Sequence, residues 1–88
     1  MTTSIPLSLP IGTTMAASHI STPADLGSAL RVARRARGLR LEDVALAAGV
    51  GIRFLSELER GKPTVRLAET LRVAAALGVD LVLEDSRD

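Results

Sequence analysis

From residue 22 onward the apolar positions recur at helical spacing, and from residue 79 they recur at every second place. Leu26, Ala29, Leu30 and Ala33 fall at i, i+3, i+4 and i+7, which predicts one apolar face of an amphipathic helix. Thr22-Pro23-Ala24-Asp25 suits its start, with threonine as N-cap, proline in the first helical position and aspartate closing a capping box. Arg31, Arg34, Arg35 and Arg37 lie mostly off the apolar face, and Gly38 is the expected left-handed terminator.

A second helix is predicted over Leu41–Ala48, with Val44, Ala45 and Ala48 inward, Glu42 and Asp43 in its first turn, and Gly49 at its end. A third, over residues 52–60, turns Leu55 and Leu58 inward and stops at Gly61. It is too short to be stable alone. Lys62-Pro63 forces a turn, after which Thr64 can cap a fourth helix reaching Leu77. Its apolar side would hold Leu67, Leu71, Ala74 and Ala75, with Gly78 beyond.

Val79, Leu81 and Leu83 then alternate with Asp80, Val82 and Glu84, a period of two that predicts one short strand. A lone strand leaves its backbone donors and acceptors unpaired, and no other part of residues 21–78 reads as a strand. The expected partner is the same strand of a second copy, antiparallel about a two-fold axis, with Val79, Leu81, Val82 and Leu83 forming the dimer seam. The alternative is a frayed or helical tail. Three regions follow: residues 1–20, a flexible arm; 21–78, a helical domain; and 79–88, a dimerising strand with an acidic tail.

Residues 1–20 are uncharged and apolar but lack a basic leader, and Pro6 and Pro10 interrupt them. Neither a signal peptide nor a membrane span is expected there. Met15 is a plausible alternative start.

Composition sharpens this picture in two ways. Hydrophobic residues make up 47% of the chain, yet Phe54 is the one aromatic, so the core must be aliphatic. The chain has no cysteine and a single histidine, His19, which removes disulfides, thiolate sites and ordinary zinc chemistry. No glycine-rich phosphate loop is present, and Glu42, Asp43, Glu57 and Glu59 sit where helix-end charge and ion pairing explain them. No enzyme, catalytic residue, cofactor or metal is expected.

The net charge of +1 hides an asymmetry. Residues 31–66 carry nine basic and four acidic side chains, whereas residues 67–88 carry two basic and five acidic. The middle segment therefore suits an anionic partner, with a merely solvated basic face as the alternative.

Ala45, small where two helices cross, is followed four residues later by Gly49 at the turn, and then by Leu55 and Leu58. That is the spacing of a helix-turn-helix, whose second helix faces the DNA major groove. The stretch LRLEDVALAAGVGIRFLSELERGKPT resembles the Xre/Cro-type helix-turn-helix family, most specifically in ELERGKPT. RFLSELERGKPTVRL and LRVAAALGVDLVLED narrow the resemblance to HipB-like antitoxins, over about residues 22–85. This implies an all-α, lambda-repressor-like bundle of four to five helices with one short C-terminal β-strand pairing across a homodimer.

The resemblance also implies roles. Gly51, Ile52, Arg53, Ser56 and Glu57 would face base edges. Arg53 could bond guanine O6 and N7 together, Ile52 could pack on a thymine methyl, and Glu57 could accept from cytosine N4. Arg53 could equally be a solvated arginine or a phosphate clamp. Arg40, Arg60, Lys62 and Arg66 would hold phosphates, and Arg34 with Glu59 would form a structural ion pair. Phe54 reads as packing against a neighbouring helix, or else as a wedge. Arg40 and Leu41 stand where the family often has Thr-Gln, and Gly51 where a capping serine is common, so both helices start with weaker caps.

The implied function is an antitoxin of a toxin-antitoxin pair that binds a palindromic operator, autorepresses its operon and neutralises a HipA-like kinase toxin. It would be cytoplasmic and nucleoid-associated, with no membrane partner. The alternatives are a stand-alone Xre-type transcriptional repressor and a protein-interaction module that has lost DNA binding.

Overall fold

The computed structural model describes residues 17–85, which form four helices: α1 (Pro23–Ala36), α2 (Leu41–Ala48), α3 (Ile52–Glu59) and α4 (Leu67–Leu77). Most of the flexible-arm expectation, and the last residues of the tail, lie outside the described residues. α1 packs mainly on α3, and α2 on α4 and α3. The core is aliphatic: Leu30 and Ala33 of α1, Val44, Ala45 and Ala48 of α2, Leu55 and Leu58 of α3, and Val73, Ala74 and Leu77 of α4.

The start of α1 follows from its first residues. Thr22 Oγ1 accepts from the Asp25 N–H at 3.0 Å, while the Asp25 carboxylate accepts from the backbone N–H groups of Thr22 (3.2 Å) and Ser21 (2.9 Å). Three donors at the helix entrance are thus satisfied locally. Further along, the buried positions are Gly27, Leu30, Ala33 and Arg34, with Leu26 and Ala29 only half-buried. The face is rotated slightly from the expected one because Gly27 meets α3 directly. A Cβ built on Gly27 would stand 2.3 Å from the Leu58 carbonyl oxygen and 2.7 Å from that of Glu59.

Two expectations for α4 need correction. Thr64 does not cap it; residues 63–66 take no helix, and Arg66 occupies the N-cap position. Leu67, Leu71 and Ala75 are exposed, and the inward face is Thr70, Val73, Ala74 and Leu77. A polar residue can occupy that face because the Thr70 hydroxyl donates to the Arg66 carbonyl at 2.8 Å, leaving nothing unsatisfied. Within the same range, four helices form rather than five.

The strand expected at 79–83 is not formed in the single chain: residues 79–85 take neither helix nor strand. A ladder requires a second extended segment alongside, and the described residues offer none. Val79 is held by its N–H to the Ala74 carbonyl at 2.9 Å and half-buried against the core, while Leu81, Val82 and Leu83 are exposed. No helix among the described residues is long and apolar enough to cross a membrane.

Candidate nucleic-acid interface

The α2–turn–α3 unit is set by Gly49, whose φ of 71° lies in the left-handed region that the turn demands. The Val50 N–H reaches the Ala45 carbonyl at 3.0 Å, closing the end of α2. Leu55 and Leu58 then anchor α3 in the core, so the opposite side of this short helix is turned outward.

Two further contacts brace α3 from α1. Arg34 Nε donates to Glu59 Oε2 at 2.7 Å and its Nη2 to Glu59 Oε1 at 2.9 Å, a two-point ion pair with side chains only 10% and 6% exposed. The remaining Arg34 nitrogen, Nη1, donates to the Leu39 carbonyl at 2.9 Å. Hydrogen bonding to Glu59, reinforced by its charge, raises the Arg34 pKa against the effect of burial. A charge pair removed from water needs all its partners, and Arg34 has them. At the far end of α3, Gly61 takes a φ of +85° with its Cα side pressed against Ala24. Any side chain there would collide with the start of α1.

The outward face of α3 carries Ile52 (53% exposed), Arg53 and, half-buried, Ser56 and Glu57, with Gly51 exposed at its N-cap. Arg53 projects furthest, its side chain 91% exposed. Glu57 lies between two cations: its carboxylate is 3.5 Å from Arg53 Nε and accepts from Lys62 Nζ at 3.2 Å. The hydrogen bond from Lys62, and then the charges of Lys62 and Arg53, hold its pKa below the ordinary glutamate value. The carboxylate is thus engaged within the protein, which distinguishes it from a free acceptor for cytosine.

The remaining basic candidates differ in how they are held. Arg40 is tied to Asp43 at 3.1 Å and lies 3.7 Å from Glu42. The Asp43 carboxylate also accepts the Arg40 backbone N–H at 2.9 Å, so the entrance of α2 keeps one half of a capping box despite lacking a capping threonine. The Arg40 guanidinium and backbone hydrogen bonds lower the Asp43 pKa. Arg66 pairs with Glu69 and lies over the Phe54 ring, 5.9 Å from its centroid. Phe54 itself is half-buried against the core, the packing role. Arg60 is exposed. Arg53, Phe54, Glu57, Lys62, Thr64, Val65 and Arg66 together line a shallow basic recess beside α3.

One contact has no precursor in the sequence reading. Arg72 of α4 donates from Nε to the Ala48 carbonyl at 3.1 Å, satisfying a C-terminal oxygen of α2 and locking α4 to the helix-turn-helix. Only the general preference of helix C-termini for cations could have suggested it, since 24 residues separate the pair.

A family model for the helix-turn-helix domain matches residues 25–86. An uncharacterized HTH-type transcriptional regulator, y4mF of Sinorhizobium fredii, is 43% identical over 65 residues, spanning 74% of this chain and 86% of that protein. The fold is similar to a chain of a HipA-HipB-O2-O3 complex, with a TM-score of 0.73 at 20% identity over 78% of this chain and 97% of that one. It is also similar to the restriction-modification controller protein C.AhdI from Aeromonas hydrophila, with a TM-score of 0.61 at 33% identity over 66% and 88% of the two chains. By the domain match and the α2–turn–α3 geometry together, the chain belongs to the Xre/Cro-type helix-turn-helix family.

Proposed function

We propose that the chain is a homodimeric, sequence-specific DNA-binding repressor of its own operon. The observation that carries this reading is the outward face of α3: Arg53 projects into solvent near its tip, held only loosely by Glu57, while Leu55, Leu58 and the Arg34–Glu59 pair fix the helix from behind. A rigid helix presenting one exposed guanidinium suits bidentate reading of a guanine in the major groove. Gly51, Ile52 and Ser56 flank it, and Arg40, Arg60, Lys62 and Arg66 supply charge for phosphates around the same surface. Two such helices related by a two-fold axis would read half-sites about one helical turn apart, hence a palindrome.

The test is fluorescence anisotropy on the duplex upstream of the gene, beside a scrambled duplex, at several salt concentrations. Salt-sensitive binding that prefers the upstream duplex, with the preference lost in Arg53→Ala, supports the reading. Equal affinity for both duplexes overturns it in favour of a generic basic surface, and no binding favours the protein-interaction module.

The finer reading is an antitoxin that also holds a HipA-like kinase. Likeness of fold to HipB chains supports it, and the 43% identity to a protein named a transcriptional regulator favours a stand-alone repressor instead. Co-purification with a kinase-like protein encoded beside the gene, and suppression of that protein's toxicity on co-expression, decides between them.

A further inference from the structure

Resting on the DNA-binding reading above, we propose that Arg31 and Arg35 of α1, together with Arg60 at the end of α3, form a ridge that grips the DNA backbone beside the groove read by α3. What sets these cations apart is the lack of an internal partner. Arg40 is held by Asp43 and Glu42, Arg53 and Lys62 share Glu57, and Arg66 and Arg72 share Glu69. Arg31, Arg35 and Arg60 are exposed, and among the described residues none of them is paired with a carboxylate. Arg37, also without a carboxylate, folds back onto the Ala33 carbonyl of its own helix at 2.9 Å. Uncompensated positive charge is therefore concentrated on the ridge, and not on the arginines that begin α2 and α4.

Helical spacing brings the three together. On α1, Ala24, Gly27, Arg31 and Arg34 follow at steps of three, four and three residues, which makes them a single stripe. Gly61 abuts Ala24, the Leu58 and Glu59 carbonyls abut Gly27, and Arg34 holds Glu59, so this stripe is the side of α1 turned to α3. Arg31 stands on it, and Arg35 comes four residues later on its outer flank. On α3, Arg60 follows Arg53 by seven residues, two turns and about 10 Å further along the same outward face. The ridge thus continues the face that carries Arg53, which favours the nucleic-acid backbone over an acidic protein as its occupant. A cation already joined to a carboxylate brings little net charge to a phosphate and releases few counterions. An unpaired arginine releases about 0.9 of one for each phosphate it meets.

Salt dependence reads the ridge directly. Removing two phosphate contacts from each subunit of a dimer should lower the slope of log affinity against log salt by about 3.6, at about 0.9 for each contact. Anisotropy should show that loss for the double variant Arg31→Gln/Arg35→Gln on both the upstream and the scrambled duplex, with the ratio between the two affinities kept. Arg40→Gln/Arg66→Gln should lose less than half as much slope. All four positions are exposed, and the parent's helical circular dichroism should be retained in both variants. An Arg31→Gln/Arg35→Gln variant that keeps the parent's slope overturns the ridge and leaves those arginines to solvent or an acidic protein. A larger slope loss in Arg40→Gln/Arg66→Gln overturns the contrast between paired and unpaired cations. The operator preference of the parent, and its loss in Arg53→Ala on the same duplexes, tests the underlying reading separately. A parent that binds neither duplex overturns both.

Discussion

Gly27 rests against the carbonyl of Leu58 so closely that a Cβ on it would lie 2.3 Å from the oxygen. This contact sets how deeply α3 sits on α1, and so how far its outer face projects. The obstacle is backbone, which cannot swing aside as a flexible side chain can. Gly27→Ala is therefore expected to destabilise by about 1–3 kcal/mol or more through overpacking. Urea unfolding followed by circular dichroism checks it. A midpoint equal to the parent's would show that the α1–α3 crossing yields at little cost.

Arg34 and Glu59 act at the same crossing. Removing one member of a buried pair leaves the other charge without compensation, typically at a cost of about 3–5 kcal/mol. Glu59→Ala should thus unfold at lower denaturant than Glu59→Gln, which keeps an oxygen acceptor for Arg34. Equal stability of the two variants would mean that water reaches the guanidinium and the pair adds little.

Glu57 tethers the two cations nearest the tip of α3, Arg53 and Lys62. Glu57→Gln removes its charge and frees both. The expected result is tighter binding to a scrambled duplex with a smaller ratio between operator and scrambled affinities, measured by anisotropy at fixed salt. A discrimination ratio that collapses while scrambled affinity stays unchanged would instead assign Glu57 a direct contact with a base.

Asp43 and Glu57 both have folded-state pKa values below their ordinary values, caused chiefly by hydrogen bonds from Arg40 and Lys62 respectively. A carboxylate of lowered pKa contributes stability that is complete above its unfolded pKa and lost as pH falls through the folded one. Both contributions should therefore be present at neutral pH and fade only below the ordinary carboxylate range. Carbon-13 NMR titration should place both midpoints below those of peptides with the same local sequence. Lys62→Ala should raise the Glu57 midpoint and leave that of Asp43 in place; movement of both would point to a long-range field instead of the local bonds.

Much of this molecule is legible along the chain because its signals are local. The Thr22–Asp25 box starts α1, the apolar spacing of Val44, Ala45 and Ala48 sets the buried side of α2, and Gly49 makes its turn. Such features depend on residues three or four apart, whose geometry is fixed as soon as a helix forms. The exposed face of α3 was legible for the same reason, since Leu55 and Leu58 choose its buried side.

Other features needed the folded chain. The α4 face could not be read from hydrophobicity because Thr70 is buried with its hydroxyl satisfied inside its own helix, while Leu67 and Leu71 remain outside. Spacing alone gave no sign that Gly27 is a helix-crossing contact or that Arg72 closes α2, since both partners are distant in sequence. The engagement of Glu57 by Lys62 depends on the turn at Gly61 bringing that lysine back beside α3. The sequence by itself determined where α1 and α2 begin, where the turn between α2 and α3 falls, and which residues α3 could display. Only the tertiary structure decided how α3 is held and which of its charges are free, because close approach and ion-pair geometry are set by how helices cross.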